Sequence, residues 1–192
     1  MEYRPAGAAD ANDIADLHAE SWRLHYRGAY SDEFLDDEVF VERRRVWGER
    51  LSGSHGESAT VVAVTRSVIV GFVHTVFHND PQWGALLDNL HVRADLKRHG
   101  LGRRLMSAAA RSVVDDDPSS GLYLWVLEQN VAAQGFYGAQ GGLDVERVLG
   151  GPFPGGGNAW AHRYAWTDTF ALCRFPDEHS VLRHAERPAG VT

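Results

Sequence analysis

The chain has 192 residues, a net charge of −7 and 44% hydrophobic residues, which suits one globular domain with a substantial core. Cys173 is the only cysteine, which excludes an intramolecular disulfide framework and fits a reducing compartment. The acidic balance argues against general nucleic-acid binding. With no basic–apolar leader and no long apolar run, a cytoplasmic protein without a membrane partner is expected.

Along the chain, Met1 to Arg4 reads as a first strand. Ile14, Leu17, His18, Ser21, Trp22 and His25 recur at helical spacing, with Asp10 or Asn12 near the N-cap. A second helical stretch spans Val39 to Leu51. Strands at Ala59 to Thr65 and Val68 to Phe77 are joined by Arg66-Ser67, a connection short enough for an antiparallel hairpin. Leu86 to Val92 is a further strand, and a helix runs from Gly102 to about Val114. The run Asp115-Asp116-Asp117-Pro118 ends that helix, because like charges at its C-terminus and proline both oppose continuation. Gly121 to Leu127 reads as a strand, Asn130 to Gly138 as a short helix, and Val145 to Leu149 as a strand. A glycine- and proline-rich loop, Gly150 to Gly157, leads to a last strand at Ala159 to Trp166. Residues 168–192 have mixed composition and weak periodicity, as in an extension packed on the domain or partly disordered. The whole is a mixed sheet with helices on both sides, an α+β or α/β sandwich.

Residues 90–104 concentrate the chemistry. A strand ends in a loop holding Gly100 and Gly102, and a helix pattern follows at once. Six basic residues fall between Arg93 and Arg111, against Asp95 alone. Glycines at a strand-to-helix turn let backbone N–H groups close around an anion, and the helix N-terminus adds a favourable dipole. The ligand expected there is a phosphate-bearing cofactor. No Gly-Lys-Ser/Thr follows at Walker spacing, and Leu105 stands where the dinucleotide fingerprint needs a third glycine.

Two linked motifs resemble those of the GCN5-related N-acetyltransferases, which use acetyl-CoA. Leu90-x-Val92 followed by Lys97-Arg-His-Gly100-Leu-Gly102 is similar to the family's first signature. Asn130-x-x-Ala133-x-x-Phe136-Tyr137, with Gly141 soon after, is similar to its second. Lys97, the only lysine, departs from the usual Gln/Arg; it keeps the charge without the planar fork of arginine. The resemblance covers about residues 1–166 as one domain, leaving 167–192 as an extension. It implies an acyl-CoA N-acyltransferase fold: a mixed, mostly antiparallel sheet of about seven strands flanked by helices, with a V-shaped split between the fourth and fifth.

The resemblance also implies roles. Backbone groups of Leu90, His91 and Val92 pair with the pantetheine arm, and one N–H there polarises the thioester carbonyl. Backbone N–H groups of His99, Gly100, Leu101, Gly102, Arg103 and Arg104 hold the pyrophosphate, helped by Lys97 and Arg98, while Asn130 fixes a turn or contacts the cofactor. Tyr137 is the candidate general acid, since a phenol stays protonated at neutral pH and can serve a departing thiolate. For the base, strand alternation puts Asp88 on the face of Leu90 and Val92 and turns Asn89 away. Glu128, ending the following strand, is a second candidate. Trp22, Tyr26 and Tyr30 are the candidate acceptor contacts, with Phe153, Asn158 and Trp160 in the family's acceptor loop; aromatic and acidic residues suit a cationic amine.

The ten histidines fall in no metal-binding pattern, and Cys173 has no motif around it, so no metal and no covalent nucleophile are expected. The activity expected is acetyl transfer from acetyl-CoA to a small-molecule or peptide amine in a ternary complex. A non-catalytic acyl-CoA-binding module, a bulkier donor such as succinyl-CoA, and a homodimer stay open.

Overall fold

In the computed structural model, which describes residues 1–53 and 55–174, seven strands form one sheet. They are β1 (Glu2–Pro5), β2 (Ser58–Thr65), β3 (Val68–Asp80), β4 (Gly84–Val92), β5 (Leu122–Leu127), β6 (Leu143–Gly150) and β7 (Ala159–Trp166). Their spatial order is β1-β2-β3-β4-β5-β7-β6, and only β4 and β5 pair in parallel. The β2–β3 connection is a two-residue turn with positive φ at both Arg66 (48°) and Ser67 (62°). That backbone matches the twist of the flanking strands, so the hairpin forms without glycine.

Strand alternation divides the apolar residues between two helical layers. Val62 and Phe72 face α1 (Ala11–His25) and α2 (Val39–Ser52), packing with Ile14, Leu17, Trp47 and Leu51. Ala63, Val70, Val73, Leu122 and Leu124 face α3 (Leu101–Asp116), packing with Leu105, Met106, Ala109 and Val113. The short α4 (Val131–Ala139) lies on the α3 side and contributes Tyr137 to that core. A π-helical turn, Phe34–Glu38, runs directly into α2 and was not anticipated. The run of three aspartates stops α3 two residues later than expected: Asp116 is its last residue, with its carboxylate 2.9 Å from His78 Nε2.

Two irregularities shape the centre of the sheet. His74 pairs with Asn89 and Thr75 with Leu87, so Asp88 is an extra residue on β4, a β-bulge. The β4–β5 ladder consists of Ala85↔Leu122 and Leu86↔Tyr123; beyond it the strands part. This is the V-shaped split expected between the fourth and fifth strands.

After β7 the chain turns back onto α3. Leu172 packs against the core, Thr169 Oγ1 donates to Ser120 O (2.8 Å), and Arg111 Nη2 donates to Cys173 O (3.3 Å). The rest of the expected extension, 175–192, lies outside the described residues. No helix among the described residues is long and apolar enough to cross a membrane.

Candidate active site

The β4–β5 split opens a cleft of about 540 Å³, lined by Leu87 to Val92 of β4, Leu124 to Val126 of β5, the glycine turn and α4. At one end stands the N-terminus of α3. Gly100 precedes it at φ +81°, a left-handed conformation that costs glycine little. A Cβ built on Gly100 meets no atom within 4 Å, so the space before the turn is an open cradle. The first backward bond of the helix is Arg104 N–H to Gly100 O (3.1 Å). The amides of Leu101, Gly102 and Arg103 therefore sit in the first turn, which has no helical acceptors to offer them. Lys97, Arg98 and Arg103 line the same end. First-turn amides, the helix dipole and these cations together suit an anion.

Lys97 is also tied to α1. Its Nζ lies 2.8 Å from His25 Nε2, at the C-terminal end of α1. Burial, and then the Lys97 charge, hold His25 below its ordinary pKa, so the neutral ring accepts from the ammonium group.

At the other end, Tyr137 is 9% exposed and lines the cleft from α4. Burial first, then the neighbouring Tyr26, push its phenol well above the ordinary value. It holds its proton throughout the neutral range. Asn130 also borders the cleft, and its Oδ1 accepts from Ala133 N–H (3.2 Å), capping α4.

Most of the residues singled out in the sequence meet in this cleft: Asp88, Leu90, His91, Val92, Lys97, Arg98, Gly100, Gly102, Arg103, Asn130, Tyr137 and Tyr26. Three loop residues do not line it with their side chains. Leu101 is buried in the core, His99 Nδ1 bonds Lys97 O (2.9 Å), and Arg104 is not among the cleft-lining residues.

The expected face of Asp88 is corrected by the bulge. The extra residue resets the alternation, and Asp88 and Asn89 both turn toward α2. There Arg50 reaches both: Nη2 is 2.8 Å from Asp88 Oδ2, and Nη1 donates to Asn89 Oδ1 (2.9 Å). Glu128 stands outside the cleft, 45% exposed, where Arg147 binds both its oxygens (3.1 and 2.9 Å). Trp22 and Tyr30 are likewise outside it. Both are packed in the core with Phe34, Leu35 and Val39, with the Arg43 guanidinium 4.1 Å over Trp22 and Phe153 stacked on Tyr30 at 5.0 Å. Only Tyr26 of the three acceptor candidates reaches the opening.

Three features escaped the sequence reading. Arg50 gave no sign of pairing across 38 residues with Asp88. The imidazole of His91, expected only as backbone, enters the cleft with Nδ1 2.8 Å from Ser21 Oγ. Burial above all holds it down at about 3, so it is neutral. Trp125, in an otherwise buried apolar strand, is 36% exposed and lines the cleft.

An anion cradle beside a split sheet is matched by sequence comparison. The profile of the Acetyltransferase (GNAT) family aligns with residues 12–141. The chain belongs to the GNAT acetyltransferase family. This GNAT protein is 29% identical over 143 residues to the "Probable N-acetyltransferase Rv2775" of Mycobacterium tuberculosis, covering 71% of this chain and 76% of that protein. Its fold is that of the PaiA N-acetyltransferase from Thermoplasma acidophilum, solved with coenzyme A (TM-score 0.66, 18% identity, 86% of this chain and 98% of that one). Arabidopsis thaliana NAA60 in complex with a bisubstrate analogue is similar to the same degree (TM-score 0.65, 17% identity, 86% and 96% covered). GNAT membership supports, in general terms, an acyl-CoA N-acyltransferase. Among the described residues, no group of three or more His, Cys, Asp or Glu side chains is placed to hold a metal ion.

Proposed function

We propose that the protein is an acetyl-CoA-dependent N-acetyltransferase that modifies a primary amine by direct attack in a ternary complex. One observation carries this reading: a single cleft joins an anion cradle at the α3 N-terminus to a protonated phenol, Tyr137, and a carboxylate, Asp88. Acetyl-CoA supplies, when bound, a thioester carbonyl for the amine to attack and a thiolate that leaves.

The chain's own groups fit that donor. The amides of Leu101, Gly102 and Arg103, with Lys97 and Arg98, suit the pyrophosphate. Past Leu86 the β4 edge no longer pairs with β5, so main-chain groups around Leu90 and Val92 are available to an amide-bearing arm and to the thioester oxygen. Tyr137 donates its proton toward the sulfur, a role its burial supports because the phenol stays neutral. Asp88 takes the proton from the incoming ammonium, directly or through water, with Arg50 fixing the carboxylate.

Calorimetric titration with acetyl-CoA, free CoA, succinyl-CoA and NAD tests the donor. Saturable one-site binding of acetyl-CoA, with NAD silent, is expected, followed by amine-dependent release of CoA thiol. A tighter fit for succinyl-CoA would change the donor, and no binding of any CoA species would remove the cradle assignment.

A further inference from the structure

Strand β5 is buried at every position except Trp125. Leu122, Leu124 and Val126 point into the core under α3, which turns Tyr123 and Trp125 to the opposite face. On that face α1 and α2 pack over Val62, Ile69 and Phe72 and leave Trp125 open. Exposing a large ring on a central strand is unfavourable unless something else covers it.

The surroundings define what would. Arg163 of β7, paired in register with Trp125, lies over three rings: Trp125 at 4.5 Å, Tyr123 at 5.0 Å and Trp83 at 5.7 Å. Its side chain is only 13% exposed, held by Asp80 (Nη1 to Oδ2, 3.3 Å) and Glu146 (Nε to Oε2, 3.0 Å). One guanidinium thus faces two carboxylates. On β4, Asp88 is balanced by Arg50. Of these groups at the aromatic strip, Arg163 against Asp80 and Glu146 leaves an excess of one negative charge, and Trp125 lines the same cleft as Asp88 and Tyr26.

We propose that this strip is an acceptor subsite for a second cationic group, carried on a short aliphatic arm beyond the reacting amine. The inference rests on the acyl-transfer reading above and deepens it by assigning a substrate class. The first amine approaches Asp88 while the methylenes and the second cation lie on Trp125, within the field of Asp80 and Glu146. A ring face with nearby carboxylates attracts a cation by quadrupole and charge together. A neutral arm of the same length gains only the apolar contact. Free diamines and basic side chains of short peptides share this chemistry.

The test is calorimetry on the full chain saturated with CoA, comparing 1,5-diaminopentane with 1-aminopentane, and Gly-Lys with Gly-norleucine. The dication is expected to bind roughly tenfold more tightly in at least one pair. Whichever pair shows it identifies the source as a free diamine or a basic peptide. Trp125→Leu should bring that ratio to near one, and Glu146→Gln, an exposed change, should lower it severalfold. Equal affinities in both pairs for the unmodified protein, or a ratio unchanged in Trp125→Leu, would overturn the subsite. Thiol release with acetyl-CoA separates the two readings. Dication preference without turnover would sink acyl transfer and leave the subsite; equal turnover of both amines would do the reverse.

Discussion

In the proposed mechanism Tyr137 and Asp88 divide the proton traffic, and their environments are opposite. The phenol is buried, and its proton is held by desolvation well into the alkaline range. Tyr137→Phe is expected to lower kcat by roughly a hundredfold while acetyl-CoA affinity changes less than twofold. Steady-state kinetics beside calorimetry would show it, and full activity would reduce Tyr137 to packing. Asp88 instead borders the opening and meets Arg50 at 2.8 Å. Asp88→Asn should depress the rate most at lower pH, where more of the amine is ammonium and needs a proton acceptor. An unaltered pH–rate profile would rule it out as the base. Tyr137 was legible in the sequence because it closes a linear motif whose spacing survives folding. The orientation of Asp88 was not, because alternation counts residues and a bulge adds one.

At the scale of elements, the turn between β4 and α3 is the proposed phosphate site, and it is expected to bind or fail as a unit. Gly100 has φ +81° and open space where its side chain would be. Gly100→Val therefore adds bulk to the cradle with its Cβ clear of the protein, at a backbone cost of about 1–2 kcal/mol for holding an L-residue in the left-handed region. Acetyl-CoA affinity is expected to fall at least tenfold, a loss of roughly 1.4 kcal/mol or more of binding free energy. Unchanged affinity in a folded variant would withdraw the phosphate assignment. The element boundaries were mostly readable from periodicity, and the hairpin from its two-residue connection. The π-helical turn at Phe34–Glu38 was not, since one extra residue per turn blurs the 3.6-residue period.

Across the whole molecule, α1 and α2 lie on β3 and β4 with histidines packed between them. His18 is fully buried with Trp47 Nε1 donating to its Nδ1 (3.0 Å), and its ring centroid is 4.6 Å from that of His91. His74 packs on Trp47 and shares a 2.8 Å contact with Thr60 Oγ1. Burial is the main cause that lowers all three from 6.5, His74 to about 4 and His91 to about 3. The unfolded chain takes up these protons near 6.5 and the folded chain only far below, so the unfolded state binds more protons in between. Stability is then complete above 6.5 and declines as the pH drops, toward about 4 for His74 and about 3 for His91. Urea midpoints should fall between pH 7 and pH 5, where the carboxylates have barely begun to titrate. His74→Gln should flatten the slope, and a midpoint independent of pH in that window would contradict the argument.

The family, the order of elements, the glycine cradle and the candidate acid were determined by the sequence itself, because each rests on neighbours close along the chain. A turn needs its glycine, a helix its period, and a motif its spacing. Only the tertiary structure decided which groups share the cleft. It packed Trp22 and Tyr30 away, drew Glu128 onto Arg147, brought Arg50 to Asp88, and left Trp125 uncovered where two strands part. Those outcomes depend on register, on one bulged residue and on which layer covers which strand. These are set by packing between segments far apart in sequence, where no local pattern carries the information.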